Sequence, residues 1–224
     1  MITGNFIILD AARMSDAMEE AKKMNPSHQS LYAAKENDML QAVAPYLFSY
    51  DGHGRLNKYF IEKGWGDSWG VLIFSKAGFD DIYRHFRRFL KVKTEDGIEL
   101  YFRFYDPRVL RIFLPTCDKK QLEDFFGPVQ SFMVEDEDFR YGIKFWLQNG
   151  VLQSKKIHFR EISGSGSPDE MEAEIPKKTD TKELKEEKKE DTELYIPKQH
   201  QKESGSQSEN TVPKPKKPKW NMLD

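Results

Sequence analysis

Residues 98–115, I-E-L-Y-F-R-F-Y-D-P-R-V-L-R-I-F-L-P, constrain the fold of this chain more than any other stretch. Ile98, Leu100, Phe102 and Phe104 recur at period two with Tyr101, Arg103 and Tyr105 between them, the pattern of an extended segment with one buried face. Asp106 then supplies a carboxylate for the free backbone N–H groups of a new helix. Pro107 takes that helix's first position, where no N–H is missed. Val109, Leu110, Ile112, Phe113 and Leu114 give the helix a wide apolar face, Arg108 and Arg111 lie one turn apart, and Pro115 limits its length. The expectation is a buried strand feeding a short helix pinned at its start.

The remaining pattern alternates strands and helices. Asn5 to Leu9 reads as a buried strand ended by Asp10. Ser15 is the expected N-cap of a helix whose Ala17, Met18, Ala21 and Met24 recur at three and four, with Asn25-Pro26 as its stop. Gln29 to Ala33 and Tyr46 to Tyr50 read as strands, with short helices at Asp38 to Val43 and around Leu56, Tyr59 and Phe60, the latter ended by Gly64. Trp69 to Phe74 is nearly continuous in β-branched and aromatic residues, as a strand buried on both faces would be. Phe79 to Val92 reads as an amphipathic helix with the stripe Phe79, Ile82, Tyr83, Phe86, Phe89 and Leu90.

Asp118 and Gln121 form an acidic capping box for a helix over 119–126, and Gly127-Pro128 is its exit. Ser131 to Glu135, Phe139 to Gln148 and Val151 to Ile162 read as strands, and Asn149-Gly150 signals a two-residue hairpin. The predicted fold class is α+β: a mixed, partly parallel sheet covered by helices, ending in an antiparallel meander.

Composition separates a tail from this domain. All 16 phenylalanines precede residue 163, beyond which only Tyr195 and Trp220 are aromatic. Residues 163–224 hold 12 lysines and no arginine against 14 acids, which leaves the front part with bases and acids in equal number. Residues 1–162 are therefore expected to be the domain and 163–224 a polar tail with no apolar stripe to offset its ordering entropy. Ser163 to Pro168 reads as a flexible linker. Pro213 to Lys219 is a stiff basic segment ahead of Trp220-Asn-Met-Leu-Asp224, so 213–224 has the make-up of a docking peptide. With one cysteine, Cys117, no basic-plus-apolar leader and no long apolar run, the expected location is the reducing cytoplasm.

Several side chains are candidates for function. A helix cap and its neighbouring arginine suffice to explain Asp106 and Arg108 and are the favoured reading; the alternative is a forked donor offered to a partner's carboxylate. Trp65 and Trp69 flank a loop with Gly64, Gly66 and Gly70; Trp69 is expected in the core and Trp65 as the exposed anchor. Arg84, Arg87, Arg88 and Lys91 form a basic face beside His85. The histidines at 28, 53, 85, 158 and 200 lack metal-ligand spacing, so no metal or other cofactor is expected. Cys117 lies at a helix start, where a thiolate is favoured, but with no nominated base it reads as an ordinary turn cysteine. Glu135 to Asp138 are expected as a solvated hairpin tip. No arrangement for phosphate binding, nucleophilic attack or paired-carboxylate chemistry stands out, so an enzyme is not expected.

The D-P-R turn at 106–108, G-W-G-D-S-W-G at 64–70, F-R-R-F-L at 86–90 and Q-L-E-D-F-F-G-P-V at 121–129 closely resemble, in this order, a domain-of-unknown-function family. Its members act as effector chaperones, or adaptors, of bacterial type VI secretion. The resemblance runs from about Phe6 to about Ile162. It implies a chaperone that binds a toxic effector and loads it onto the valine-glycine repeat (VgrG) spike protein, without nucleic acid or direct membrane insertion. Longer members continue into a helix-rich lobe, whose place is taken here by the polar tail. The candidate partner-binding residues are Trp65, Trp69, Arg84, Arg88, Arg103, Asp106, Arg108, Arg111, Trp220, Met222 and Leu223. Two other classes remain open: a small hydrolase or nuclease using Asp106 with His53, His85 or His158, and a nucleic-acid-binding module built on the 79–92 helix.

Overall fold

Strand β1 (Asn5–Asp10) is apolar on both faces, and Asp10 ends it by accepting the Ala12 N–H at 3.0 Å, so the chain turns at once into α1 (Ala11–Met14). These coordinates belong to a computed structural model, which describes residues 5–32, 38–50, 52–93, 99–160 and 221–222. Ile98, the 163–168 linker, the basic 213–219 segment, Trp220 and Leu223 lie outside the described residues.

The elements that follow are α2 (Ala17–Met24), β2 (His28–Ser30), α3 (Asp38–Ala42), β3 (Pro45–Tyr50), α4 (Arg55–Tyr59) with a π turn over Phe60–Gly64, and β4 (Gly70–Ser75). Then come α5 (Phe79–Arg87), β5 (Lys91–Lys93), β6 (Glu99–Tyr101), α6 (Pro107–Phe113), α7 (Lys119–Phe126), β7 (Val129–Glu135), β8 (Tyr141–Gln148), β9 (Val151–His158) and β10 (Asn221–Met222). The described residues form two units. One holds 5–90 and 103–160; the other holds 91–102 and 221–222.

The first unit is built on a seven-stranded sheet in the order β2-β3-β1-β4-β7-β8-β9. Every neighbouring pair is antiparallel, which corrects the partly parallel sheet expected from the sequence. Alternating strands and helices suggest parallel crossovers only if each helix carries the chain back along a full strand. None of the described helices exceeds nine residues, about 14 Å of rise against the roughly 20 Å of a six-residue strand. The closing meander β7-β8-β9 is as expected. Asn149 and Gly150, with φ of 55° and 74°, make the two-residue turn between Gln148 and Val151.

Strand alternation divides the core between the two faces of the sheet. On one face Ile7, Leu9, Phe48, Leu72 and Met133 pack with Met14, Met18 and Ala21 of α1 and α2 and with Leu56, Phe60 and Trp65. On the other, Phe132 meets Phe86 of α5 and Phe125 and Phe126 of α7 at ring separations of 6.1, 5.4 and 5.0 Å, and Phe86 stacks on Phe104 at 5.1 Å. Fully burying side chains of this size contributes about 1.5–3 kcal/mol each, so both layers are needed.

Local expectations fare unevenly. The capping box forms as read: Asp118 accepts the Gln121 N–H and Gln121 accepts the Asp118 N–H, each at 2.9 Å. Ser15 is not an N-cap; with φ of 50° it closes the unforeseen α1, and Asp16 stands before α2. The 79–92 helix stops at Arg87, and Lys91 to Lys93 form β5 instead.

The strand expected over 98–105 shrinks to β6, in the small sheet β10-β5-β6 of the second unit. Beyond it the Asp106 N–H bonds back to the Arg103 carbonyl at 3.0 Å, so the chain turns, and Phe104, Tyr105 and Asp106 are buried in succession rather than alternately.

Candidate functional site

The antiparallel register brings the end of β1, the start of β4, the end of β7 and the start of β8 to one rim of the sheet. Leu9 lies opposite Gly70, Leu72 opposite Met133, and Glu135 opposite Gly142. The Asp10 N–H donates to the Trp69 carbonyl at 2.8 Å, which fastens the G-W-G-D-S-W-G loop to the exit of β1. Gly70 is required there, because a Cβ would stand 2.1 Å from the Ile8 carbonyl oxygen. Gly66 and Ser68 both take positive φ, at 85° and 58°, so the loop between the tryptophans is sharply folded and needs external anchors.

Glu135 is the main anchor. Its carboxylate accepts the Gly66 N–H at 2.5 Å, the Ser68 N–H at 3.0 Å and the Ser68 hydroxyl at 2.9 Å. With 6 % of its surface exposed, it is held above the usual carboxylate range by burial, against which the three donors and the Arg111 charge work. Arg111 donates to the Glu135 carbonyl at 2.5 Å, so α6 is tied to the same residue. Arg13 of α1 donates to the Asp67 carbonyl at 3.3 Å from the other side. The solvated tip expected for Glu135 to Asp138 is thus corrected at its first member. A run of four acids hides that Glu135 is the last residue of a buried strand.

Two further carboxylates lie inside the rim. Asp10, fully buried, pairs with Arg103; burial raises its pKa while the guanidinium lowers it, with a net upward shift. Burial opposes the Arg103 cation, but Asp10 outweighs it and its pKa rises above the ordinary value. Asp106, 2 % exposed, caps α6 by accepting the Arg108 N–H at 2.9 Å. The same carboxylate takes the Arg108 side chain in a forked pair, Nε at 3.1 Å and the terminal nitrogen at 2.7 Å. The cap is realised, and the Arg108 fork is turned onto that same cap rather than left open. The Tyr105 hydroxyl, buried and 3.4 Å from that of Tyr32, is pushed well up by burial first and by Tyr32 and Asp10 next.

The rim therefore hides three of its acids and shows two of the arginines beside them. Asp10, Asp106 and Glu135 are buried, whereas the Arg103 and Arg108 side chains each keep 32 % of their surface exposed. Arginine in this setting is planar, permanently charged and already oriented.

Six candidates from the sequence meet here: Trp65, Trp69, Arg103, Asp106, Arg108 and Arg111. Trp65 is not the exposed anchor that was expected. It is 5 % exposed, donates its indole N–H to the Phe139 carbonyl at 2.7 Å and lies 5.2 Å from the Phe159 ring, while Trp69 is the half-buried member. A glycine on either side of a tryptophan says nothing about which way its ring turns. Sequence reasoning missed Asp10, Arg13 and Glu135; the signal for Asp10 was an acid ending an apolar strand before two alanines.

The other candidates bond elsewhere. Arg84 pairs with Asp81 at 2.6 Å, and Arg88 donates to Nδ1 of His85 at 3.0 Å. Met222 is in β10, opposite Val92. Cys117 is an ordinary turn cysteine, as expected: burial, with Asp118 adding to it, pushes the thiol up to about 12. Among the described residues, no group of three or more His, Cys, Asp and Glu is placed to hold a metal ion, and no helix is long and apolar enough to cross a membrane.

Fold and rim together define a helix-covered antiparallel-sheet domain in which two of the four signature motifs, the 64–70 loop and the 106–108 turn, meet at one end of the sheet. The chain belongs to the family described as domain of unknown function (DUF4123), which matches residues 5–124, more than half of its length. No curated protein and no solved structure matches it.

Proposed function

We propose that this protein is a cytoplasmic adaptor, a chaperone that binds a type VI secretion effector and loads it onto the VgrG spike protein. Family membership supports the reading, because the matched segment carries the Trp65–Trp69 loop and the Asp106-Pro107-Arg108 turn from which the resemblance was drawn. The observation that carries it is the rim. Buried carboxylates fix exposed guanidiniums in place, which prepares a rigid surface for a protein partner at little ordering cost on binding.

The hydrolase reading required Asp106 to face a histidine. Its two oxygens are instead engaged by the start of α6 and by the Arg108 fork, so nothing favours that role for it. The nucleic-acid reading was built on the basic face of the 79–92 helix; that helix ends at Arg87, Arg84 pairs with Asp81, and the domain has no excess of basic charge to favour it.

The deciding experiment is co-expression with the spike and effector candidates encoded beside the gene, followed by co-purification. A ternary complex that survives gel filtration is expected. Elution of this chain alone with every candidate overturns the proposal.

A further inference from the structure

The seven-stranded sheet ends on β9, which at eight residues is as long as any strand in it. Its register with β8 runs unbroken from Gln148 opposite Val151 to Tyr141 opposite His158, with no bulge or proline to blunt the outer side. The two-residue turn makes Gln148 and Val151 a hydrogen-bonded pair, and bonded pairs then alternate along the two strands. A bond from the Phe159 N–H to the Arg140 carbonyl, at 2.7 Å, keeps that alternation one step past the strand ends. The backbone groups of Val151, Gln153, Lys155 and Ile157 therefore face β8, while Leu152, Ser154 and Lys156 turn theirs outward.

Charge narrows what such an edge can take. The β8–β9 hairpin, residues 141–158, holds three lysines and no acid. Lys144 lies opposite Lys155 on one face, a like-charge pairing that an acid beside them would relieve. Lys156, on the other face, is held by Asp136 at 2.9 Å, but among the described residues no acid pairs with the exposed Lys155. Pairing the middle of β9 with itself would bring Lys155 close to its own copy, so the same lysine turns a second copy away and favours an acid-bearing strand. The chain itself leaves β9 in another direction. Phe159 and Arg160 are helical, and the Phe159 ring packs 5.2 Å from that of Trp65, against the core layer of α1 and α2.

We propose that the outer edge of β9 is a strand-addition site for an extended segment of a protein partner, one that sets an acidic residue beside Lys155. Strand addition uses backbone hydrogen bonds for affinity and side chains for choice. Here Leu152, Ser154 and Lys156 offer the backbone groups, and Lys155 makes the choice. That the occupant belongs to a partner protein rests on the adaptor reading; the existence of the acceptor edge does not.

The test compares the full-length chain with full-length Ser154→Pro and Lys155→Glu variants. Ser154 is exposed and its N–H points away from β8, so proline there leaves the β8 ladder whole and removes an outward donor. The probes are a labelled peptide of alternating glutamate and valine and its counterpart of alternating lysine and valine. Fluorescence anisotropy is expected to show the wild type binding the glutamate peptide about fivefold more tightly than the lysine peptide. Lys155→Glu should lose that preference, and Ser154→Pro should bind neither peptide. Amide exchange at Ser154 and Lys156 should slow on adding the glutamate peptide, and change less at Gln153 and Lys155, which are already bonded to β8. No binding, equal affinity of the wild type for the two peptides, or binding that Ser154→Pro leaves intact overturns the inference. So does a wild-type dimer that Ser154→Pro dissociates, which would give the edge to a second copy. Binding seen only once Glu170, Glu172 and Glu174 are changed to lysine would give it to the chain's own acidic run, and overturns the inference too. A spike–effector complex that forms while the peptide fails sinks this inference alone. Peptide binding at the edge while no complex forms sinks the adaptor reading and leaves the acceptor edge standing.

Discussion

Ser68 gives both its backbone N–H and its hydroxyl to one oxygen of Glu135, 67 positions away in the sequence. The tryptophan loop is thereby shaped by a residue outside the family-matched segment. Truncating that acid leaves the Gly66 and Ser68 N–H groups without their acceptor. Glu135→Ala should cost about 2–3 kcal/mol and shift the tryptophan emission, as followed by thermal melts and fluorescence, and Glu135→Gln should cost less because one acceptor oxygen remains. Two unchanged melting curves would remove Glu135 from its anchoring role.

Asp10 has no exposed surface, so its pairing with Arg103 is a matter of charge balance in the interior. Arg103→Met should destabilise the fold by about 3 kcal/mol, because it strands a buried carboxylate. Adding Asp10→Asn to that variant should recover a substantial part of the loss. A double variant as unstable as the sum of the two singles, measured by urea unfolding, would show that the two residues act independently.

Asp106 and Arg108 separate stability from recognition. Asp106→Ala removes the cap of α6 and should lower stability by about 1 kcal/mol. Arg108→Ala should weaken spike or effector binding more than it shifts the melting temperature. Equal proportional losses in both assays would assign Arg108 to the fold.

His85 provides a dependence on pH. It is buried, its Nε2–H donates to the Phe125 carbonyl at 2.8 Å, and Nδ1 takes the Arg88 donor, so the neutral ring is the one that fits. Burial first, then the Arg88 charge, lowers its pKa to about 4 from the usual 6.5, against the Phe125 bond, which favours the cation. The folded state refuses a proton that the unfolded chain accepts. Stability is therefore full above pH 6.5 and falls as the pH drops toward 4, by roughly 2 kcal/mol at pH 5. His85→Gln should flatten the difference between pH 6.5 and pH 5 in denaturant midpoints, and an equally steep variant would refute the assignment.

Much of the architecture is legible in the sequence because it depends on local chemistry. The capping box at Asp118 and Gln121, the Asn149-Gly150 turn, the stop at Asn25 and the Asp106 cap each involve residues within three positions of one another. Strand direction is not local. It follows from how far each connection carries the chain, and periodicity at β1 or β4 carries no sign. The rim was half visible for the same reason. Its arginines and tryptophans advertise themselves, and Asp106 stands two positions from Arg108, but the other two carboxylates lie dozens of positions from what they hold: Arg103 is 93 residues from Asp10, and Glu135, 67 from Ser68, hides at the head of an acidic run.

The strand order has a bearing on where the gene can be cut. β4 is flanked by β7, and β7, β8 and β9 all follow residue 124, where the family match stops. A protein trimmed to that boundary would present the bare side of its most apolar strand to solvent and invite aggregation. The recognised segment is thus a signature of common descent rather than a self-sufficient building block, and expression trials should extend at least through His158.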